Sequence, residues 1–190
     1  MIAHVGPFRP RGRLTAPVSK SAAHRLLILA ALCGRECAVL FDGTNADIDA
    51  TLCCLKALGA DFDLTGRGVF FRPRRPAAGL PLLDCGESGS TLRFLLPAAA
   101  ALGGARFTGR GRLPERPLDS LLEAMEAHGA RFSGRRLPLT AHGPVTGGEF
   151  ALPGDVSSQY LTGLMLAAPL SGEDTVIRLT SPCRARPMWT

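Results

Sequence analysis

Three stretches of this chain are apolar on every side. They read Leu-Leu-Ile-Leu-Ala-Ala-Leu at 26–32, Phe-Leu-Leu-Pro-Ala-Ala-Ala-Ala-Leu at 94–102 and Tyr-Leu-Thr-Gly-Leu-Met-Leu-Ala-Ala at 160–168. A helix without a polar face has to be covered by other elements, and each run is too short for the ~20 residues of a bilayer span. A chain holding three such helices is confined to architectures with helices inside and strands or amphipathic helices around them.

The three runs also recur at a period near 70 residues. Glycines stop each one, at Gly34, Gly103-Gly104 and Gly172, and a strand is predicted next, over 38–41, 105–108 and 175–179. In the first two copies a second helix follows. One opens at Thr44-Asn45-Ala46-Asp47 and ends at Gly59; the other runs over 118–128, with Pro117 in its first turn, and ends at Gly129. Leu55-Lys56-Ala57-Leu58-Gly59-Ala60-Asp61-Phe62 matches Met125-Glu126-Ala127-His128-Gly129-Ala130-Arg131-Phe132 at an offset of 70. A hairpin is expected over 60–64 and 69–72, and a short strand and turn over 1–16. The period exceeds that of solenoid repeats and predicts a few related units in one domain, about 14–75, 80–140 and 145–190. The third stops at Thr190, before its second helix.

A small-polar turn precedes each apolar helix. These are Ser19-Lys20-Ser21 with Arg25, Gly86-Glu87-Ser88-Gly89-Ser90-Thr91 with Arg93, and Gly154-Asp155-Val156-Ser157-Ser158-Gln159. The first turn of a helix has unpaired N–H groups and a partial positive charge, so it attracts anions. Any one such turn reads equally well as an ordinary helix cap, and the glycine-rich one lacks the G-x-x-x-x-G-K-[ST] of a P-loop. Three in register with a repeat carry more weight. Arranged about a pseudo-threefold, they would face one mouth and converge on a ligand bearing phosphate or carboxylate groups. In the loop 109–117, Arg116 is pinned before Pro117 and suits a bidentate contact to such a group, whereas Arg110 and Arg112 read as surface residues.

The balance of charge supports a small anion. The net charge is +6, and of the 22 cations only Lys20 and Lys56 are lysines. The cations are scattered, with no run of five and no alternating aromatics, which argues against nucleic acid. Six cysteines, at 33, 37, 53, 54, 85 and 183, form no C-x-x-C pair and have no histidines at metal-ligand spacing. Cys33, Cys37, Cys53 and Cys54 lie among apolar residues and are expected to be buried free thiols. With no signal peptide at the start and no long apolar run, the expected place is the cytoplasm.

Four motifs then narrow the reading. Pro-x-Ser-Lys-Ser-x-x-x-Arg at 17–25, Gly-x-Ser-Gly-Ser-Thr-x-Arg at 86–93, Glu-Arg-Pro at 115–117 and Val-Ser-Ser-Gln-Tyr at 156–160 together resemble the 3-phosphoshikimate 1-carboxyvinyltransferases, or EPSP synthases. The resemblance spans roughly 14–188. It implies an α/β fold, an inside-out barrel-like domain of repeated βαβαββ units with buried helices. The chain would be the N-terminal domain with its third unit incomplete and the C-terminal domain absent. It also implies site roles: Lys20, Ser21, Arg25, Ser157, Ser158 and Gln159 for shikimate 3-phosphate, and Lys20, Gly89, Arg116 and Gln159 for phosphoenolpyruvate. No cofactor or metal is implied, and the acid and base groups would come from the absent domain. The full-length protein would be a monomer without nucleic-acid or membrane partners.

Some positions depart from the family pattern. Val18, His24 and Glu87 stand where Gly, Asn and Asn are frequent, and Ala185 and Met188 replace a phosphate contact and a phenol. Two other readings remain. One is the sister enzyme acting on UDP-N-acetylglucosamine, although Ser21 stands where that family has Asn and the loop 109–117 has no cysteine. The other is a non-catalytic ligand-binding half.

Overall fold

The computed structural model describes residues 4, 6, 7, 9, 11–13, 18–155 and 157–182. Most of the strand and turn expected over 1–16 lies outside them, as do Cys183, Ala185 and Met188.

Helix α1 (Lys20–Leu32) starts where Ser19 accepts a hydrogen bond from the Ala22 N–H, and it leads to strand β1 (Cys37–Leu40). Helix α2 (Ala46–Ala57) is capped by Asn45, whose Oδ1 accepts from the N–H groups of Asp47 and Ile48, both at 3.1 Å. The hairpin of β2 (Asp61–Thr65) and β3 (Gly68–Arg72) completes an antiparallel sheet of order β1-β3-β2.

The next sheet has the order β4-β5-β7-β6. It is made of β4 (Leu82–Asp84), β5 (Gly104–Thr108), β6 (Arg131–Phe132) and β7 (Leu139–His142), with β4 parallel to β5 and the other pairs antiparallel. Helix α3 (Gly89–Ala101) joins β4 to β5, and α4 (Asp119–Glu126) joins β5 to β6. Last, β8 (Gly148–Leu152) and β9 (Thr175–Leu179) pair in parallel, with α5 (Ser158–Ala167) crossing between them. Among the described residues no helix is long and apolar enough to cross a membrane.

Helix α3 is the centre of the core. Leu92, Phe94, Leu95, Leu96 and Ala98 are buried, and α1, α2, α5, β5 and β7 all pack against the helix. Its approach to α5 is close at Gly163, where a Cβ would overlap the Arg93 carbonyl oxygen. Three expectations need correction. The apolar helices do not share one degree of burial: Leu26 and Leu29 on α1 and Met165 on α5 are 52%, 47% and 59% exposed, because among the described residues only α3 has elements packed on every side. Pro117 lies outside α4, which begins at Asp119; the Tyr160 hydroxyl donates to the Pro117 carbonyl at 2.6 Å and holds it toward α5. Cys33 and Cys53 are exposed and Cys37 is half-buried, while Cys54 and Cys85 are buried. The reason is placement: Cys33 caps the end of α1, and Cys53 faces away from the core that its neighbour Cys54 enters.

Candidate functional site

The starts of α1, α3 and α5 are tied to one another by side chains. From α1, Arg25 donates to the Thr162 hydroxyl of α5 at 3.1 Å and to the Ser21 carbonyl at 2.7 Å, and its guanidinium carbon lies 5.0 Å from the Phe94 ring centre. From α3, Arg93 donates to Gln159 Oε1 at 2.8 Å, while Gln159 Nε2 donates to Ser90 Oγ at 2.9 Å. Both ends of the Gln159 amide are engaged, so its orientation is fixed. Ser157 caps α5 by accepting from the Gln159 N–H, and Ser158 in its first turn is exposed.

The Arg116 loop is held from the same helix. The Arg93 guanidinium lies 5.6 Å from the Tyr160 ring centre, and the Tyr160 hydroxyl bonds the residue after Arg116. A Cβ built on Gly89 would stand 2.5 Å from Arg116 Nη1 and 3.3 Å from Arg93 Nη1. Two guanidinium groups therefore flank the bare backbone at the start of α3. Arg93 Nε is buried without a hydrogen-bond partner among the described residues, an orphan donor of the kind that native structures seldom leave.

Lys20 is exposed and pairs with Asp47 at 2.8 Å. A surface pair of this kind contributes about 0–1 kcal/mol, so Lys20 is readily released to a competing anion. The geometry thus brings Gly89, Arg116 and Gln159 together through Arg93, joins Arg25 to α5 while Ser21 bonds it only within α1, and leaves Lys20 on Asp47. Glu87 packs its carboxylate against Gly111, where it lines a cleft of about 570 Å³ with Asp47, Asp49, Asp84 and Arg110.

Behind these groups runs a buried polar chain. His24 Nδ1 is 2.7 Å from Thr51 Oγ1, which is 2.7 Å from Thr91 Oγ1, which in turn donates to Ser88 Oγ at 2.7 Å. The Thr51 hydroxyl lies 3.3 Å from the Asp47 carbonyl oxygen, which it reaches as donor, and the Thr91 hydroxyl lies 3.4 Å from the same oxygen. This chain locks α1, α2 and α3 at their starts. Burial holds the His24 imidazole below its ordinary pKa, with Lys20 and Arg25 acting in the same direction and Asp47 opposing. Arg93, Thr51 and Thr91 carry none of the roles implied by the sequence motifs, although Arg93 closes the second one. Their importance comes from partners 40–66 residues away, which no local pattern shows.

The family model described as EPSP synthase (3-phosphoshikimate 1-carboxyvinyltransferase) matches residues 6–187. This chain belongs to the EPSP synthase family. It is 38% identical over 182 residues to the 3-phosphoshikimate 1-carboxyvinyltransferase of Methanocorpusculum labreanum, covering 93% of this chain and 43% of the relative. For the enzyme of the same name from Clostridium kluyveri the figures are 36% over 187 residues, 96% and 44%. For that of Halobacterium salinarum they are 37% over 199 residues, 98% and 45%. An EPSP synthase structure from Acinetobacter baumannii matches the fold with a TM-score of 0.75 at 24% identity, over 92% of this chain and 41% of that one. The chain spans less than half the length of these family members, and its mixed α/β architecture is theirs.

Proposed function

We propose that this chain supplies the substrate-binding half of the EPSP synthase reaction of aromatic amino-acid biosynthesis. In that reaction the enolpyruvyl group of phosphoenolpyruvate moves to the 5-hydroxyl of shikimate 3-phosphate, and phosphate is released. The observation that carries the reading is the clamp of Arg93, Gln159 and Ser90 beside Gly89 and Arg116. It joins the starts of two helices around a pair of guanidinium groups, which suits an ester phosphate or a carboxylate.

In this reading Arg25, Ser21, Ser157 and Ser158 hold shikimate 3-phosphate, with Gln159 along its ring. Arg116 receives phosphoenolpyruvate over Gly89, where a side chain would intrude, and Gln159 borders that ligand too. Lys20 leaves Asp47 and reaches both substrates. The reaction protonates the methylene carbon of phosphoenolpyruvate, forms the bond from the 5-hydroxyl to the enol carbon, and then expels phosphate as a proton leaves the methyl group. Positioned acid and base groups serve these transfers, and we assign them to residues beyond this chain. The three sheets read as successive βαβαββ units of an inside-out barrel, supported by the shared order of β1-β3-β2 and β5-β7-β6. The ligands are small anions rather than nucleic acid or lipid, the setting is the cytoplasm, and the full-length protein is a monomer.

Calorimetric titration of the 190-residue chain with shikimate 3-phosphate tests this. Binding is expected, weakened roughly tenfold or more by Arg25→Ala, the loss of a charge-assisted contact. A coupled assay for phosphate release should show no turnover by the chain alone. No heat of binding would remove the site assignment, and turnover would remove the division of labour.

A further inference from the structure

Cys33 and Cys37 face each other across the turn that ends α1. Cys33 is the last residue of the helix cap, Gly34 turns the chain at a φ of +70°, and Cys37 opens β1. Their Sγ atoms are 3.6 Å apart. Both thiols point at one acceptor, the Ala30 carbonyl, at 3.2 Å from Cys33 and 3.6 Å from Cys37. A disulfide bond measures about 2.0 Å, so joining the pair needs an approach of about 1.6 Å, with no packed side chain between them. Cys33 is exposed and Cys37 half-buried. Burial and the hydrogen bond with Cys33 push the Cys37 thiol up. One thiol is thus open to attack by solvent species while the other waits behind it.

We propose that Cys33 and Cys37 form a redox modification site that takes low-molecular-weight disulfides. The Cys33 thiolate attacks one sulfur of RSSR, forming Cys33–S–S–R and releasing RS⁻, which takes up a proton. The Cys37 thiolate then attacks Cys33 Sγ, the mixed disulfide breaks, and a second RSH departs. Overall two protein thiols become one disulfide and RSSR becomes two RSH, with two electrons and two protons passing from protein to reagent; excess small thiol reverses the exchange. The pair lies at the far end of α1 from Lys20, about 20 Å at the helical rise, so this site stands or falls apart from the substrate reading. The other described thiols do not compete as pairs. Cys54 and Cys85 are buried, the Cys85 thiol being pushed up by its hydrogen bond to Cys54 and by burial, and Cys53 is exposed without a sulfur partner among the described residues.

The test uses the reduced 190-residue chain, oxidised glutathione, an alkylating quench, and peptide mapping by mass. The expected product is a 33–37 cross-link two hydrogens lighter, beside a glutathione adduct that persists on Cys53. In Cys37→Ser the adduct should form on Cys33 at the wild-type rate and remain there. In Cys33→Ser the reaction at Cys37 should slow roughly tenfold, as expected for a less accessible thiol. Adduct formation on Cys53 without a 33–37 cross-link would overturn the proposal, and so would Cys37 reacting at full speed in Cys33→Ser. The wild-type map decides the matter even if a serine variant does not fold.

Discussion

At Gly89 a missing side chain leaves room for two guanidinium groups. The atoms that an added Cβ would meet are the ends of Arg116 and Arg93, not backbone. Gly89→Ala should therefore displace guanidinium groups and leave the fold alone. Gly89 is buried, but the atoms displaced are ends of long side chains, so thermal unfolding should stay within about 2 °C of wild type, while phosphoenolpyruvate affinity by titration falls roughly tenfold, the value of one charge-assisted bond. Equal affinity in the variant would take Arg116 away from that ligand. His24 gives a second test. Its imidazole is harder to protonate in the folded chain than in the unfolded one, so acid favours unfolding. Stability should be constant above a pH of about 6.5, the unfolded value, and decline as pH drops from there toward the lower folded pKa. Urea midpoints across this window should slope in wild type and flatten in His24→Asn. At this scale the sequence displayed Lys20, Ser21 and Arg25 through their motif, and Thr91 as part of the second, but not the bond that joins Thr91 to Thr51, since a buried threonine shows no partner until packing supplies one.

Among the elements, the α3–α5 contact has little slack. A methyl group at Gly163 meets the Arg93 carbonyl oxygen, and backbone cannot rotate out of the way as a side chain can. Gly163→Ala should cost about 1–3 kcal/mol by urea denaturation, the usual range for overpacking, and should also weaken shikimate 3-phosphate binding because Gln159 shifts with α5. A stable variant with intact binding would show that the two helices have room to part. The helices themselves were legible: the apolar runs and small-polar turns located α1, α3 and α5. Their burial was less so, because apolarity states what a helix requires and not what the rest of the chain supplies. The three-residue β4 is too short to leave a period, and the position of Pro117 is set by a tyrosine 43 residues away.

For the whole molecule, the succession of apolar helices, glycine stops and strands made the mixed α/β order readable. The convergence of the helix starts was not, because it depends on how the units turn about each other. A ligand gripping all three starts should stabilise the entire chain: at a hundredfold excess over its dissociation constant, shikimate 3-phosphate should add about 2.7 kcal/mol. A rise in melting temperature that disappears in Arg25→Ala would confirm the linkage, and no rise in wild type would break it.

Arg25 meets Thr162 across 137 residues, and Arg93 meets Gln159 across 66. During synthesis, then, the cations leave the ribosome well before the amide and hydroxyl that position two of them. A nascent chain halted before α5 would display Arg25 without Thr162 and Arg93 without Gln159. On the proposed reading, ligand capture waits until α5 has been translated and has docked.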